Sequence, residues 1–222
     1  MIEAVLFDLD GTLLDRRATF RRHLDLQLAR HPGVFRPKEA SHYVARLLEL
    51  DENGSLDRDR FYASAEAEFD LGPGSAAVLK EDFEAHFPEE CIPLPNVHET
   101  LRELRTMGIA LGLITNGRGL IQGRKIRGLS LATAFDVVVI SDDFGYRKPD
   151  RRIFEHAVSQ LGVPSAGAAY VGDNPAPDVT GARLAGLHAI WRRDDFWPAP
   201  ADADHVIDDL LEVLPWVRKR QR

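Results

Sequence analysis

The sequence is poor in cysteine and in long apolar runs, and each shortage excludes a class of protein. Cys91 is the one cysteine among 222 residues, so no disulfide framework can form within the chain. Without a cysteine–histidine signature, a lone cysteine is interpreted as a small apolar residue. No apolar run has the length of a membrane helix, and the early Glu3 does not fit a secretory signal peptide. We therefore expect a cytoplasmic protein with no membrane partner.

The sequence also lacks an excess of positive charge. Lysine and arginine number 28 against 35 aspartates and glutamates, which gives a formal net charge of −7. Because nucleic-acid-binding proteins usually carry a basic face, this balance predicts no nucleic-acid partner. It does not exclude an anionic small molecule, since a bound divalent cation reverses the local sign of the charge. Nothing in the composition indicates an oligomeric state.

What the sequence does contain is an alternation of short apolar runs and helical patterns. The apolar runs cover residues 4–7, 109–114, 137–140, 168–171 and 188–191. Runs this short are typical of strands that are buried on both faces of a parallel sheet. Apolar residues at helical spacing fill the intervals, and Gly108 and Gly162 close two of these helices. The alternation predicts an α/β fold whose mostly parallel sheet is covered on both sides.

One long stretch, residues 15–88, interrupts the alternation without a strand pattern. Its apolar residues follow four helical faces, formed by Phe20, Leu24 and Leu28; Val44, Leu47 and Leu48; Phe61, Ala65 and Phe69; and Val78, Phe83 and Phe87. Glycine, proline and asparagine separate the four patterns. We predict an all-helical domain at residues 15–93, inserted into a core formed by residues 1–14 and 94–222.

The first predicted strand ends in Asp8-Leu9-Asp10-Gly11-Thr12. Ligands of open parallel sheets bind outside the carboxyl ends of the strands, so these carboxylates belong to a candidate site. Gly11 permits the sharp turn that would aim both carboxylates at one point. Asp8 is suited to attack phosphorus and form an aspartyl-phosphate, and Asp10 to protonate the leaving oxygen and then activate water. The alternative interpretation is an ordinary turn with solvated acids.

Two further segments carry groups suited to a phosphoryl oxyanion. Thr115 and Asn116 provide a hydroxyl and backbone N–H groups at a strand end, although Thr-Asn-Gly is also a common turn. Lys148 precedes Pro149, a residue that is favoured near a helix start, and its ammonium group could neutralise a phosphoryl group. By itself, Lys148 would be interpreted as a surface lysine.

Asp173 and Asp178 follow the apolar run at 168–171. Carboxylate oxygens on a loop suit Mg²⁺, which binds a few carboxylates together with water and phosphate oxygens. Asp173 stands at the strand exit, whereas Asp178 has the alternative role of favouring a helix N-terminus. Together, the strand ends supply a nucleophile, an acid–base, a metal carboxylate, a hydroxyl and a cation, which is the set that phosphoryl transfer requires.

These segments resemble, in order, the four motifs of the haloacid dehalogenase-like superfamily. The matching segments are Asp8-Leu9-Asp10-Gly11-Thr12, Ile114-Thr115-Asn116-Gly117, Lys148-Pro149-Asp150 and Gly172-Asp173-Asn174-Pro175-Ala176-Pro177-Asp178. The resemblance spans nearly the whole chain and implies a Rossmann-like, doubly wound core with an inserted helical cap of type C1. It is nearest to the branch of nucleotidases and small-phosphate phosphatases.

The resemblance also implies a role for each motif residue. Asp8 is expected to be the nucleophile and a Mg²⁺ ligand, and Asp10 the acid–base whose backbone carbonyl also ligates the metal. The residues expected to bind the transferring phosphoryl group are Thr115, Asn116 and Lys148. Asp173 is expected to complete the metal site, with Asp178 acting through water or supporting the other ligands.

The expected activity is Mg²⁺-dependent hydrolysis of a small phosphomonoester, of the nucleoside monophosphate, sugar phosphate or phosphoglycolate class. A phosphomutase shares the four motifs and is an alternative. The dehalogenases of the superfamily lack an acid at the position of Asp10, so Asp10 favours phosphate chemistry over cleavage of a carbon–halogen bond. A phosphonatase would need a cap lysine, for which Lys38 and Lys80 are the candidates.

A function of another class is suggested by the glycines of the segment 117–123, which form a loose dinucleotide-binding pattern. The ribose-binding acid of such a non-catalytic module would be Asp136, but it opens a predicted strand instead of ending one. For the phosphatase, substrate selection is expected to fall to the helical domain and to Arg118. The polar candidates in that domain are Arg16, Arg17, Arg21, Arg22, His23, Tyr43 and Arg46.

Overall fold

The structure of the chain is a computed structural model that describes residues 1–35, 40–54 and 56–221. It divides into two compact units. The core unit comprises Met1–Asp15 with Pro93–Arg222, and the helical unit comprises Arg16–Ile92. The candidate cap lysine Lys38 lies outside the described residues. None of the described helices is long and apolar enough to span a bilayer.

Helices of three or more turns and shorter helical segments both occur. In chain order the α-helices are α1 (Arg16–Arg30), α2 (Ala40–Leu50), α3 (Arg58–Phe69), α4 (Ser75–His86), α5 (Val97–Thr106), α6 (Gly119–Gly128), α7 (Ser141–Phe144), α8 (Arg151–Leu161), α9 (Gly181–Leu184) and α10 (Val213–Arg218). The first four lie in the helical unit, and the others lie in the core unit.

The core unit is built on a sheet of six parallel strands. They are β1 (Ala4–Phe7), β2 (Ala110–Thr115), β3 (Val137–Ile140), β4 (Ala168–Gly172), β5 (His188–Arg192) and β6 (His205–Ile207). Their order across the sheet is β3-β2-β1-β4-β5-β6. This order is that of a doubly wound Rossmann-like sheet, so the predicted fold class is confirmed.

The short apolar runs form strands of the sheet, and the central strand β1 is buried as predicted. All four residues of β1 are fully buried, because β1 lies in the middle of the sheet with helices on both faces. One side of the sheet packs into a core cluster that includes Leu6, Ile114, Phe154 and Tyr170. The edge strand β6 was missed by the sequence pattern, because only one of its three residues is buried.

The strand order places a crevice beside β1. Phe7 at the end of β1 pairs with Leu113 of β2 and with Val171 of β4. The chain continues from β1 to β2 on one side and, after β3, returns to β4 on the other side. Such a reversal leaves a gap at the carboxyl ends of the two central strands, where ligands of this fold bind. Asp8 therefore leaves the sheet at its switch point.

The helical unit has its own aromatic core. Buried side chains that include Phe20, Tyr43, Phe61 and Leu79 pack together in one cluster. The prediction for the fourth helix was wrong in one respect, because Val78 is 45% exposed and Leu79 is buried in its place.

A buried carboxylate, Asp82, organises one side of the helical unit. It accepts two hydrogen bonds of 2.7 Å from the guanidinium group of Arg30 and one of 3.0 Å from the amide of Gln27. Burial alone would raise the pKa of Asp82, but the hydrogen bonds from Arg30 and Gln27 outweigh it and lower that pKa below its usual range. The ionised carboxylate thus links α4 to α1.

Candidate active site

The chain turns sharply where β1 ends, and this turn orients Asp8. The side chain of Asp8 is almost fully buried. Three residues on, Gly11 has a φ angle of +86°, which L side chains rarely adopt. A Cβ atom at Gly11 would also lie 2.6 Å from a carboxylate oxygen of Asp173. Glycine is therefore required at position 11 both for the turn and for the close approach of the two strand ends.

Three buried carboxylates meet at this edge of the sheet. Asp8, Asp173 and Asp178 each place an oxygen within 4.8 Å of the others. Asp8 follows β1, Asp173 follows β4, and Asp178 lies in the π-helical turn Pro175–Thr180. The structure thus brings together three of the four aspartates that the sequence assigned to a metal site; the fourth, Asp10, was assigned through its backbone carbonyl.

The ammonium group of Lys148 lies among these carboxylates. It donates hydrogen bonds to Asp8 at 2.5 Å, to Asp178 at 2.7 Å and to the hydroxyl of Tyr170 at 2.7 Å. Burial alone would lower the pKa of Lys148, but the charges of Asp178 and Asp8 outweigh it and raise that pKa above its usual range. Lys148 is therefore a buried, charged group and not the surface lysine of the alternative interpretation.

The negative charge of the three carboxylates, when all are ionised, exceeds the single positive charge of Lys148. Burial raises the pKa of Asp8 to about 7, although Lys148 opposes the shift. Burial, together with the charges of Asp178 and Asp8, raises the pKa of Asp173 well above its usual range. A buried cluster of three carboxylates with one ammonium group fits a divalent cation, which would offset the remaining negative charge. Its all-oxygen donor set suits a hard cation such as Mg²⁺.

Asp173 and Asp178 differ in the strength of the hydrogen-bond donors that the protein provides to their carboxylate oxygens. Asp178 accepts from Lys148 with one oxygen and from the backbone N–H of Asn174 with the other, at 3.0 Å. Asp173 accepts from the Thr12 hydroxyl at 3.3 Å and from the indole N–H of Trp197 at 3.2 Å. The strong charged donor of Asp178 favours a supporting role for it, whereas the weaker neutral donors of Asp173 leave it better suited to bind a metal ion.

Asn116 connects the end of β2 to Lys148. Its side-chain amide donates to the backbone carbonyl of Lys148 at 3.0 Å and accepts from the backbone N–H of Lys148 at 2.9 Å. The pair of hydrogen bonds fixes the segment from which the Lys148 side chain enters the site. Thr115, the last residue of β2, is buried one position earlier. Both residues therefore lie where the sequence placed them, at the mouth of the sheet.

Asp10 is held by two residues of α6. Lys125 donates to both carboxylate oxygens of Asp10, at 2.8 and 2.9 Å. Gln122 donates to Asp10 at 2.9 Å and to the hydroxyl of Thr115 at 2.5 Å. Gln122 thus bridges the candidate acid–base and a candidate phosphate-binding residue.

Four residues of the site were missed by the sequence interpretation: Gln122, Lys125, Tyr170 and Trp197. Gln122 and Lys125 are three positions apart and share one face of α6, a spacing that could have been noticed. Tyr170 looks like an ordinary aromatic residue of the core, since its neighbours in β4 are all buried. Trp197 lies in the loop between β5 and β6, where no periodic signal exists.

The dinucleotide-binding alternative does not fit the structure. Asp136, its candidate ribose ligand, precedes β3 and so lies at the opposite end of the sheet from Asp8. Its carboxylate accepts from the backbone N–H of Leu111 at 2.8 Å and from Arg105 at 3.0 Å. Asp136 thus has a structural role at the amino ends of the strands.

Several polar candidates of the helical unit are engaged inside that unit. Arg16 pairs with Asp51 at 2.9 Å, and buried His23 lies 2.7 Å from Glu90. Tyr43 is buried in the aromatic core. Others pair on the surface, such as Arg46 with Glu68 and the cap lysine Lys80 with Asp59. The candidates on exposed positions of α1 are Arg17, Arg21 and Arg22.

Comparison with known proteins agrees with this fold. The model of the haloacid dehalogenase-like hydrolase family matches residues 2–186. The chain belongs to the haloacid dehalogenase-like hydrolase family, and the predicted enzyme class is confirmed at the level of that family.

Two curated relatives are phosphatases. The phosphoserine phosphatase of Thermus thermophilus is 41% identical over 161 residues, which are 71% of this chain and 64% of that protein. This match thus spans slightly less than two thirds of that relative's length. The glyceraldehyde 3-phosphate phosphatase of Methanothermobacter thermautotrophicus is 30% identical over 215 residues, which are 96% of this chain and 94% of that protein.

A solved structure shows the same fold. The chain resembles the hydrolase YfnB of Bacillus subtilis with a TM-score of 0.75 and 23% sequence identity, over 97% of this chain and 98% of that one. That structure was determined with bound magnesium. At this level of identity the likeness concerns the fold, which both chains share over nearly their whole length.

Proposed function

We propose that the protein is a Mg²⁺-dependent phosphatase that hydrolyses a small phosphomonoester through an aspartyl-phosphate on Asp8. The observation that carries the proposal is the position of Asp8. It leaves β1 at the switch point of the sheet, and its carboxylate lies 2.5 Å from the ammonium group of Lys148. A buried nucleophilic carboxylate beside a fixed cation is suited to attack an anionic phosphoryl group.

In the first half of the reaction, an oxygen of Asp8 attacks phosphorus, and the bond between phosphorus and the ester oxygen breaks. Asp10 gives a proton to the departing oxygen, so the alcohol leaves neutral. Lys148 and the Thr115 hydroxyl lie at the same edge of the sheet and neutralise or hydrogen-bond the phosphoryl oxygens. The products of this half are the alcohol and the phosphorylated Asp8.

In the second half, water attacks the phosphorus of the aspartyl-phosphate. Asp10, now ionised, takes a proton from this water as the new bond forms. The bond between phosphorus and the Asp8 oxygen breaks, which releases inorganic phosphate and restores the Asp8 carboxylate. One residue thus serves as acid and then as base, and the cycle ends with each group in its starting protonation state.

The residues that would hold Mg²⁺ are Asp8, Asp173 and the backbone carbonyl of Asp10, with Asp178 supporting them. The ion would neutralise charge on the transferring phosphoryl group. The burial of Asp8 and Asp173 supports this assignment, because two such carboxylates are costly to ionise without a cation. Lys148 alone offsets only part of their charge.

The presence of Asp10 favours assignment of the chain as a phosphatase over assignment as a dehalogenase of the same fold. Cleavage of a carbon–halogen bond releases a halide ion, which needs no proton. An alkoxide leaving group does need one, and Asp10 is a carboxyl group held in the site to supply it.

A small metabolite is the proposed substrate class. The relatives named above act on phosphoserine and on glyceraldehyde 3-phosphate, so these two compounds join nucleoside monophosphates, sugar phosphates and phosphoglycolate as candidates. We infer that the helical unit Arg16–Ile92 is a cap that selects among them. Three arginines of α1 are exposed and available for this role: Arg17, Arg21 and Arg22.

The test is phosphate release by the purified chain from p-nitrophenyl phosphate and from a panel of these metabolites. Mg²⁺, Ca²⁺ and a chelator are compared, and chloride release from 2-chloropropionate is measured in parallel. We expect Mg²⁺-dependent phosphate release and no chloride release. Asp8→Asn is expected to reduce turnover to background, because an amide cannot form the acyl-phosphate.

Two outcomes would overturn the proposal. One is full activity of Asp8→Asn, which would remove Asp8 as the nucleophile. The other is the absence of phosphate release from every compound in the presence of Mg²⁺. Conversion of one sugar phosphate into its isomer without net phosphate release would assign the chain to the phosphomutases instead.

A further inference from the structure

The helix that follows β2 contributes two polar side chains to the candidate site. Gln122 and Lys125 of α6 are both buried, with exposures of 2% and 7%. They reach Asp10 across more than a hundred residues of sequence, with donor–acceptor distances between 2.8 and 2.9 Å. Burying a lysine is costly unless its charge is paired and hydrogen-bonded. The burial of Lys125 beside Asp10 therefore suggests a function for this pair.

We propose that Gln122 and Lys125 are positioning residues that hold the carboxyl group of Asp10 for proton exchange with the leaving oxygen and with water. The inference rests on the proposed function of Asp10 and names the groups on which that function depends. Lys125 contacts both oxygens of Asp10, which fixes the plane of the carboxyl group as well as its distance.

Gln122 links Asp10 to Thr115, a candidate phosphate-binding residue. Its amide nitrogen donates to Asp10 at 2.9 Å and to the Thr115 hydroxyl at 2.5 Å. One side chain therefore sets the position of the acid–base relative to a group at the end of β2. A fixed distance between these two groups is what proton transfer to an oxygen on the bound phosphoryl group requires.

A positioning role makes a specific kinetic prediction. General acid catalysis matters for a weakly acidic alcohol, whose oxygen must be protonated as it leaves, and matters little for a strongly acidic phenol. Lys125→Met should therefore lower kcat/KM for phenyl phosphate much more than for 2,4-dinitrophenyl phosphate. We expect a loss of about 10- to 100-fold for the first substrate and less than about 3-fold for the second, since general acid catalysis contributes about 10²- to 10⁴-fold.

Three further measurements separate positioning from other roles. Arg127→Met changes an exposed cation of the same helix and should leave both substrates unaffected. Lys125→Arg keeps two donors for the carboxylate and should recover part of the loss. Inhibition by inorganic phosphate should be unchanged in Lys125→Met, because the proposal places Lys125 on Asp10 and not on the phosphoryl group.

A double-mutant cycle tests the connection to Asp10 directly. In an Asp10→Asn background, Lys125→Met should cause little additional loss on phenyl phosphate, since the group it positions has already been removed. Gln122→Met is a second probe that changes no charge, and it should show the same dependence on the leaving group. Thermal unfolding of every variant shows which of them are folded.

An equal loss on both aryl phosphates, additive effects with Asp10→Asn, or weaker inhibition by phosphate would each overturn the positioning role. Failure of the proposed function would appear differently. In that case Asp8→Asn would remain active, or the parent chain would release no phosphate, whatever residue stands at position 125.

Discussion

Lys148 and Asp8 form a buried ion pair across 140 residues of sequence, with 2.5 Å between the ammonium nitrogen and a carboxylate oxygen. Their side chains are 2% and 8% exposed. The remaining donors of Lys148 go to Asp178 and Tyr170, so its three protons have three acceptors. This arrangement keeps the cation in the site and faces it toward the residue proposed as the nucleophile.

Removal of this cation should destabilise the metal-free protein. Lys148→Met leaves Asp8 and Asp178 buried without their shared partner, and loss of one member of a buried ion pair costs about 3–5 kcal/mol. We expect a loss of this order in the free energy of unfolding, measured with urea in the presence of a chelator. Mg²⁺ should recover part of it, because the ion supplies positive charge to the same carboxylates. Equal stability of the variant and the parent chain would contradict the importance of this pair.

The metal-free protein should lose stability as pH rises from about 4 to about 7. The pKa of Asp8 is raised to about 7, so between its unfolded value of 3.8 and about 7 the folded state binds the proton more tightly. Stability then falls with rising pH, by up to about 1.4 kcal/mol per pH unit from this group. Unfolding in urea at several pH values measures the slope.

The control for this pH effect is Asp8→Asn, which has no proton to lose at position 8. Its slope between pH 4 and pH 7 should be shallower than that of the parent chain. Mg²⁺ should flatten the slope of the parent chain too, because bound metal favours the ionised carboxylates. If the parent chain and Asp8→Asn had the same slope, the pH dependence would come from groups other than Asp8.

Binding of Mg²⁺ should change the fluorescence of Trp197. Its indole N–H donates to an oxygen of Asp173, a proposed metal ligand, at 3.2 Å. A metal ion on Asp173 competes for that oxygen and changes the environment of the indole ring. We expect a saturable change in tryptophan emission during a Mg²⁺ titration, which Trp197→Phe reduces and Asp173→Asn abolishes. Metal binding in calorimetry without any change in emission would contradict this prediction.

The stability of the helical unit should depend on the carboxylate of Asp82. Asp82→Asn removes one of the two carboxylates that pair with Arg30, and the other, Glu90, remains at 2.7 Å. Because Arg30 keeps this partner and its side chain is 26% exposed, we expect a loss of about 2–3 kcal/mol, below the full cost of breaking a buried pair. Glu81→Gln, an exposed neighbour on α4, is the matched control and should change stability by less than about 0.5 kcal/mol. Urea unfolding of both variants measures the difference.

Acid should have the same effect as the Asp82 substitution. Because the pKa of Asp82 is lowered in the folded state, its contribution is complete above its unfolded value of 3.8 and is lost as pH falls below that value. The parent chain should therefore approach the stability of Asp82→Asn in acid. A constant difference between them at every pH would contradict the assignment.

The sequence by itself determined the α/β fold and the positions of the motif residues. Short apolar runs predict buried parallel strands, and parallel strands bring their carboxyl ends to one edge. For that reason the sequence alone assigns Asp8, Thr115 and Asp173 to one edge of the sheet. Local signals were enough, because Thr115 is the last residue of its strand and Asp8 and Asp173 directly follow theirs.

Only the tertiary structure decided which side chains pair across that edge. Lys125 and Gln122 lie on a helix, and their direction toward Asp10 depends on how α6 packs against the sheet. Tyr170 has the pattern of a core residue, yet its hydroxyl contacts Lys148. Periodicity records which face of an element is buried, but the pairing of polar groups depends on distances between elements, which no local pattern contains.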